Sequence, residues 1–162
     1  MKTSMIGYFI QCLTTKYCCF SGRARRKEIW SFYIIGIILM FGFFGFVLRD
    51  NIEPNSSFYL TQLIISAVVF LPVAGLNVRR LHDVGMSGVW ALPSIFLQLI
   101  SIYSDILSLN NPFETTLSAF AFIWNNKEVC CIYGLYIFII AIVELFFGSQ
   151  SKENKYGAAP LR

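Results

Sequence analysis

The polar residues that could bind a ligand or do chemistry are collected in three short stretches, 21–30, 77–90 and 148–160. The middle stretch places two arginines, a histidine and an aspartate beside two glycines. Glycines in such a stretch indicate a turn whose backbone needs positive φ or leaves amides open. Guanidinium groups beside a turn can hold a phosphate or a carboxylate in bidentate fashion. The candidate ligand-binding or structural cluster comprises Arg23, Arg26, Arg79, Arg80, His82, Asp83, Gly85, Gly88, Glu144, Asn154 and Tyr156.

Two interpretations of this cluster are open on the sequence alone. In the first, Asp83 or Glu144 pairs with Arg79 or Arg80 in a structural network. In the second, the arginines bind an anionic group from outside the chain. A catalytic pair of His82 and Asp83 is disfavoured, because side chains of adjacent residues usually diverge and no GxSxG-type motif accompanies them. We therefore expect no enzymatic activity.

The cysteines do not have the spacing of a metal site. There is no CxxC motif, and adjacent cysteines rarely bridge each other or chelate one ion. We therefore expect no metal and no other cofactor. We also expect no disulfide framework, because the N-terminal cysteines face a reducing cytoplasm in the orientation that the loop charges predict. The five residues are Cys12, Cys18, Cys19, Cys130 and Cys131.

The composition places the cluster in a membrane protein. Of the 162 residues, 56% are hydrophobic and only 14% are charged, whereas a soluble domain carries about 25% charged residues. A chain of this length forms one domain. Its net charge of +4 is concentrated beside apolar windows, so we interpret the charge as a topology signal and expect no binding of nucleic acid.

Four apolar windows are long enough to cross a bilayer as helices, which need roughly 20 residues. We therefore predict an all-α membrane protein with four transmembrane helices in a small bundle. The predicted spans are 29–48, 58–78, 89–104 and 129–147. The predicted connections are a basic N-terminal segment 1–28, an outer loop 49–57, a cytoplasmic loop 79–88, an outer loop 105–128 and a cytoplasmic tail 148–162.

Loop charges predict the orientation. With the N-terminus inside, eleven of the 13 Lys and Arg residues fall on the cytoplasmic side, as the positive-inside rule requires. Both termini are then cytoplasmic, and all three polar stretches meet on one side of the membrane. No cleavable signal peptide is apparent, because the apolar stretch 5–10 is too short for one.

Several local features refine this prediction. Segment 1–20 has an apolar helical face, which predicts an amphipathic helix along the inner interface. Leu117–Trp124 is too short to span, so we expect an interfacial or re-entrant piece there, and we interpret the sequon at Asn55 as chance. Pro72 should kink the second span. Small residues suited to close helix packing are Gly36, Gly42, Gly45, Ser66, Ala67, Ala74 and Gly75.

The three polar stretches resemble the signatures of a bacterial inner-membrane family known as domain of unknown function 805. They read FSGRARRKEIW, VRRLHDVGMSGVW and NKYGAAP, and the middle one is the most specific. The resemblance extends from about Tyr8 to Pro160. Arg25 stands where the family commonly has serine and Ile29 where it commonly has an aromatic residue, and segment 104–128 looks expanded.

This resemblance implies a small multispanning protein and a joint role for the three stretches, but no substrate. Our leading hypothesis is a non-enzymatic inner-membrane protein whose inner-face cluster binds an anionic lipid headgroup or a protein partner. The alternative is a subunit of an oligomeric transporter or channel that uses Pro72 and Glu144 together with Gln62, Ser66 and Asn77. A lipid-modifying enzyme that depends on His82 is a third hypothesis.

Overall fold

The computed structural model describes residues 4–49, 56–110, 127–150 and 152–158, and within them the chain forms five α-helices and one short 3₁₀ helix. The predicted all-α fold is confirmed. The predicted interfacial piece Leu117–Trp124 and the sequon at Asn55 lie outside the described residues. The helices are α1 (Met5–Leu13), α2 (Arg26–Arg49), α3 (Ser56–Val84), the 3₁₀ helix (Gly88–Ala91), α4 (Leu92–Asn110) and α5 (Lys127–Phe146).

Helix α3 is longer than the span predicted for it. The segment 79–88 was predicted as a loop, but α3 continues through it as far as Val84. Gly85 follows the last helical residue, and its φ of +90° is typical of that position. Polar residues at 79–83 stay helical because their side chains are paired within the protein, a tertiary effect that hydropathy does not report.

Two helices are long and apolar enough to cross a membrane, among the residues that the structure describes. They are Ser57–Val84 and Gly88–Leu107, and a shorter apolar helix covers Cys131–Phe146. Length and composition alone support these two, so the arrangement of four spans stays a prediction.

Apolar and charged side chains are distributed in the opposite way to a soluble protein. Large apolar residues such as Phe41 and Ile132 are exposed, at 68% and 70%. The largest fully buried side chains, in contrast, are those of Arg79 and Arg80. Arginine is almost never fully buried unless it is paired, and an extensive exposed apolar surface marks contact with another molecule or a membrane.

Helix α3 is the centre of the bundle and contacts every other described helix. Two small apolar clusters lie around its C-terminal half. One includes Cys12, Ile29 and Leu76, and the other joins Leu81 to Ala91 and Ile140. The α1 face that we predicted to be apolar packs on the first cluster through Phe9, Cys12 and Leu13.

The connection between α1 and α2 runs alongside α3. The Tyr17 hydroxyl donates a hydrogen bond of 2.9 Å to the Val68 carbonyl, and the Ala24 amide donates one of 3.0 Å to the Arg79 carbonyl. Pro72 leaves the Val68 carbonyl without its helical donor, so Tyr17 provides the missing partner.

Two of the glycines predicted to allow close helix packing, Gly36 and Gly42, have no close neighbour. A Cβ at Gly36 or Gly42 would meet nothing within 4 Å, so neither residue allows two spans to approach closely. A Cβ at Gly75 would lie 2.8 Å from the Cys19 carbonyl oxygen. The prediction of close packing between spans at Gly36 and Gly42 was wrong, and Gly75 instead admits the backbone of the N-terminal segment.

Candidate functional site

Asp83 is the centre of a buried ion-pair network at the C-terminal end of α3. Its Oδ1 accepts a hydrogen bond from Arg23 Nε at 2.9 Å, and its Oδ2 accepts one from Arg80 Nη1 at 2.5 Å. The side chains of Arg23, Arg80 and Asp83 are exposed by 1% or less. A carboxylate with two guanidinium partners satisfies the usual condition for burying charge, which is pairing with hydrogen bonds.

Arg23 ties the N-terminal segment to both α3 and the tail. Its Nη1 donates to the Lys152 carbonyl at 2.9 Å and to the Gly157 carbonyl at 3.4 Å. Its Nη2 donates to the Gln150 carbonyl and, at 3.5 Å, to that of Asp83. The planar fork of donors in a guanidinium can hold several acceptors at once, so one side chain connects three segments.

Arg80 caps the C-terminal end of α5. Its Nε donates to the Glu144 carbonyl at 2.6 Å, and its Nη2 donates to the Phe147 carbonyl. The last carbonyls of a helix have no partner within the helix and carry a partial negative charge. A buried guanidinium there satisfies those acceptors and fixes α5 against α3.

A second pair lies one residue earlier on α3. Arg79 Nη1 donates to Glu28 Oε1 at 2.6 Å, and Lys16 reaches the same carboxylate at 3.0 Å. The Cys12 thiol lies 3.7 Å from Glu28 Oε1. Burial, together with the nearby Glu28 charge, raises the pKa of Cys12 to about 11. This thiol is therefore kept protonated and unreactive.

His82 and the tail form the exposed edge of the network. The His82 ring stacks on Tyr156 with centroids 3.8 Å apart, and its Nδ1 lies 3.2 Å from the Gly22 carbonyl oxygen. Asn154 Nδ2 donates to the His82 carbonyl at 3.0 Å. The described tail residues are therefore held against α3 by both ring stacking and hydrogen bonds.

The two glycines of the middle stretch are needed for different reasons. Gly85 has positive φ, as predicted, and a Cβ there would overlap the Gln150 side-chain amide. Gly88 begins the 3₁₀ helix, and a Cβ there would lie 2.7 Å from Val78 Cγ1 and 3.1 Å from His82 Nε2. Gly88 is therefore required by close contact and not by its φ.

Most of the predicted cluster converges, but two members do not join the network as expected. Arg26 is exposed at the start of α2 and makes no ion pair within the described residues. Glu144 is 95% buried, yet only its carbonyl meets Arg80, and its Oε1 has no hydrogen-bond partner in the described part of the chain. The sequence left open whether Asp83 or Glu144 pairs with Arg79 or Arg80, and the structure contains the pair of Asp83 with Arg80.

Glu28, Lys16 and Gln150 are among the participants that were missed on the sequence. Glu28 could have been suspected, because it is the only acid among six basic residues in 1–28. Lys16 and Gln150 carry no signal that distinguishes them from other polar residues. Their roles depend on which backbone carbonyls and carboxylates lie within reach after folding.

A helical bundle with apolar side chains outside and ion-paired arginines inside is the architecture of a helical membrane protein. The arrangement brings together the described parts of all three motifs that carried the family resemblance. The family model described as "Protein of unknown function (DUF805)" matches residues 17–158. The chain belongs to this family, and the resemblance inferred from the motifs is confirmed.

Curated relatives include proteins named for the inner membrane. The chain is 44% identical over 78 residues to "Inner membrane protein YhaI" of Escherichia coli (strain K12), covering 47% of this chain and 61% of the relative. It is 40% identical over 78 residues to "Inner membrane protein YhaH" of the same strain, covering 47% and 63%. The match thus spans about three fifths of the length of these two relatives.

A longer match extends over more of the chain. It is to "Uncharacterized protein YiiR" of Escherichia coli (strain K12), 27% identical over 143 residues and covering 85% of this chain and 83% of the relative. No solved structure matches the chain. The names of the first two relatives support a membrane location.

Proposed function

We propose that this protein is a non-enzymatic, four-span protein of the bacterial inner membrane whose cytoplasmic end binds anionic lipid headgroups. The observation that carries this proposal is that charged and apolar residues occupy different parts of the bundle. The ion-pair network and the exposed residues Arg26 and Lys27 lie beside one another at one end, next to helices with exposed apolar faces. Both termini are cytoplasmic in this proposal, as the positive-inside bias requires.

The paired arginines serve architecture in this proposal, and they do not serve as the lipid site. The side chains of Arg79 and Arg80 are exposed by 2% or less, and both hold carboxylates of the chain. An external phosphate would have to displace those carboxylates. This argument revises the hypothesis that all the arginines contact a headgroup, and it leaves the exposed cations for that role.

Arg26 and Lys27 are suited to contact headgroups. Both are exposed in the first turn of α2, where the helix dipole disfavours positive charge. Their position therefore favours an interaction outside the chain. Trp30 and Trp90 are also exposed, and tryptophan is enriched at the level of the headgroups. A basic residue near an anionic leaflet contributes about 1 kcal/mol.

The lipid test compares two charge-matched double variants of the full-length protein. Arg26→Gln with Lys27→Gln should weaken binding of phosphatidylglycerol or cardiolipin by about 2 kcal/mol, or about thirtyfold. Lys152→Gln with Lys155→Gln removes two exposed tail charges and should have a much smaller effect. Bound lipid is measured by native mass spectrometry. Equal losses in both variants, or no loss, would contradict the proposed site.

The topology test uses single cysteines in a background without native cysteines. An impermeant maleimide should label Ser57→Cys in intact cells, because residue 57 begins the α3 span on the proposed outer side. Glu153→Cys in the exposed tail should be labelled only after the membrane is opened. Labelling of the tail in intact cells would refute the cytoplasmic C-terminus.

The geometry at His82 supports the non-enzymatic part of the proposal. One face of its ring is covered by Tyr156, and Nδ1 faces the Gly22 carbonyl. The neighbouring Asp83 carboxylate is occupied by two arginines. Lipid turnover that is lost in His82→Ala at normal expression would instead establish the enzyme hypothesis.

A second candidate, an oligomeric transporter subunit, is favoured by Glu144. This carboxylate is 5% exposed and has one oxygen without a hydrogen-bond partner among the described residues. Ionisable groups buried in membrane helices often mark ion or substrate paths. Solute or ion flux into proteoliposomes that disappears in Glu144→Gln would support this candidate, and flux unaffected by the substitution would count against it.

A further inference from the structure

A cavity of about 620 Å³ lies between α2 and the pair of helices α3 and α4. Its volume falls within the range of about 300–1,000 Å³ that is typical of small-molecule sites. It shares no lining residue with the ion-pair network. Any ligand that it holds would therefore be separate from the headgroups considered above.

The lining favours a neutral and largely apolar molecule. None of the described residues that line the cavity is charged, so no cation is present to hold a phosphate or a carboxylate. Aromatic rings lie along the cavity and offer faces and edges for a planar group. They belong to Phe9, Phe32, Tyr33, Phe43 and Phe70.

Among the described lining residues, one polar group comes from α2, the Tyr33 hydroxyl, which donates to Asn77 Oδ1 at 2.9 Å. The other polar side chains belong to α3 and α4. Gln62 and Ser66 lie one turn apart on α3, and Gln98 and Ser101 lie one turn apart on α4. Ser66 donates to Asp105 Oδ2 at 2.9 Å.

The remaining three polar side chains, those of Gln62, Gln98 and Ser101, make no hydrogen bond within the described residues. Unpaired amides are unfavourable in hydrocarbon because no water is present to replace the missing partner. Each amide has an NH2 donor and a carbonyl acceptor, so these side chains favour a ligand with hydrogen-bonding groups, including acceptors for the two NH2 groups.

We propose that this cavity binds an isoprenoid quinone. The ring of a quinone is neutral and planar, and its carbonyl oxygens would accept hydrogen bonds from the amides of Gln62 and Gln98. Its apolar isoprenoid chain would contact the aliphatic lining side chains such as Ile37, Leu39 and Ile65. A phospholipid headgroup lacks the cationic partner that it needs here. The proposal concerns binding alone, and it rests on the proposed membrane location but not on the headgroup site.

The test uses the full-length protein in phospholipid nanodiscs and a quinone with a photoreactive group in its isoprenoid chain. Saturable labelling should map to α2, α3 and α4 and should be competed by unlabelled quinone. Gly36 lines the cavity and Gly42 does not, and both have space for a side chain. Gly36→Leu should therefore lower labelling by about fivefold or more, and Gly42→Leu should leave it unchanged.

A second pair of variants tests the amides and remains informative if Gly36→Leu does not fold. Gln62→Leu with Gln98→Leu should weaken quinone binding by about tenfold or more. Gln11→Leu on α1, outside the cavity, should not weaken it.

Three results would overturn the proposal. They are labelling that does not saturate, equal competition by diacylglycerol or phospholipid, and full binding by the double glutamine variant. The labelling of Ser57→Cys and Glu153→Cys described above shows separately whether the membrane topology itself has failed.

Discussion

Replacing Asp83 by asparagine tests the ion-pair network with the smallest change of shape. The substitution removes the charge shared by Arg23 and Arg80, and all three side chains are exposed by 1% or less. Removing one partner of a buried ion pair costs about 3–5 kcal/mol. The asparagine oxygen can still accept one hydrogen bond, while Arg80 keeps its bonds to the α5 carbonyls. We therefore expect a loss of about 4 kcal/mol.

The assay combines a global and a local measurement on Asp83→Asn. The free energy of unfolding in mixed micelles should fall by about 4 kcal/mol. This is a large fraction of the roughly 5–15 kcal/mol that stabilises a typical protein. Because Arg23 joins Asp83 to the tail, trypsin should also cleave at Lys152 and Lys155 sooner. Glu153→Gln removes an exposed charge from the tail and should change stability by about 0.5 kcal/mol or less.

A double-mutant cycle assigns the effect to the pair itself. Arg23→Gln, Asp83→Asn and the double variant should give a coupling energy of about 1–3 kcal/mol, as expected for residues in one network. Arg80 is less suitable for the cycle, since it also caps α5. If Asp83→Asn matches the parent in stability and tail protection, the network does not hold this end of the bundle together and the reasoning is refuted.

Three further predictions concern the N-terminal segment and the tail. At pH 8, Cys12 should resist a maleimide while the exposed Cys18 reacts. Cys12 is fully buried, and because its pKa is about 11, only about one thousandth of it is thiolate at this pH. Mass spectrometry of the labelled protein measures the two reactions, and equal labelling would contradict the burial. Tyr17→Phe should lower the free energy of unfolding by about 1 kcal/mol, because the carbonyl freed by the proline of α3 loses its donor; an unchanged value would mean that the contact is not stabilising. Gly85→Ala should lower the free energy of unfolding by about 1–3 kcal/mol, because residue 85 has a positive φ, and should expose the tail to protease. Gly148→Ala should have neither effect, because there is open space around Gly148.

The positions of the helices could be predicted because a bilayer imposes a length and an apolar composition on any segment that crosses it. That requirement acts residue by residue along the chain, so apolar windows alone located the cores of α2, α3, α4 and α5. The convergence of the three motifs followed from topology in the same way. The extension of α3 to Val84 could not be predicted in this way, because the apolar window ends before Arg79.

The pairing within the site could not be predicted, because several acids and bases were available and the sequence sets no distances between them. Arg79 meets Glu28, Arg80 meets Asp83, and Glu144 contributes its carbonyl to Arg80.

The amino-acid sequence by itself determined an all-helical, apolar chain with its basic motifs gathered at one end, because local composition is sufficient to specify helices in hydrocarbon. Only the tertiary structure decided that Arg23, Arg79 and Arg80 are buried and paired, and that a cavity lies beside Gln62 and Gln98. Ion pairing and cavity shape depend on distances between residues far apart in the chain, and packing alone sets those distances.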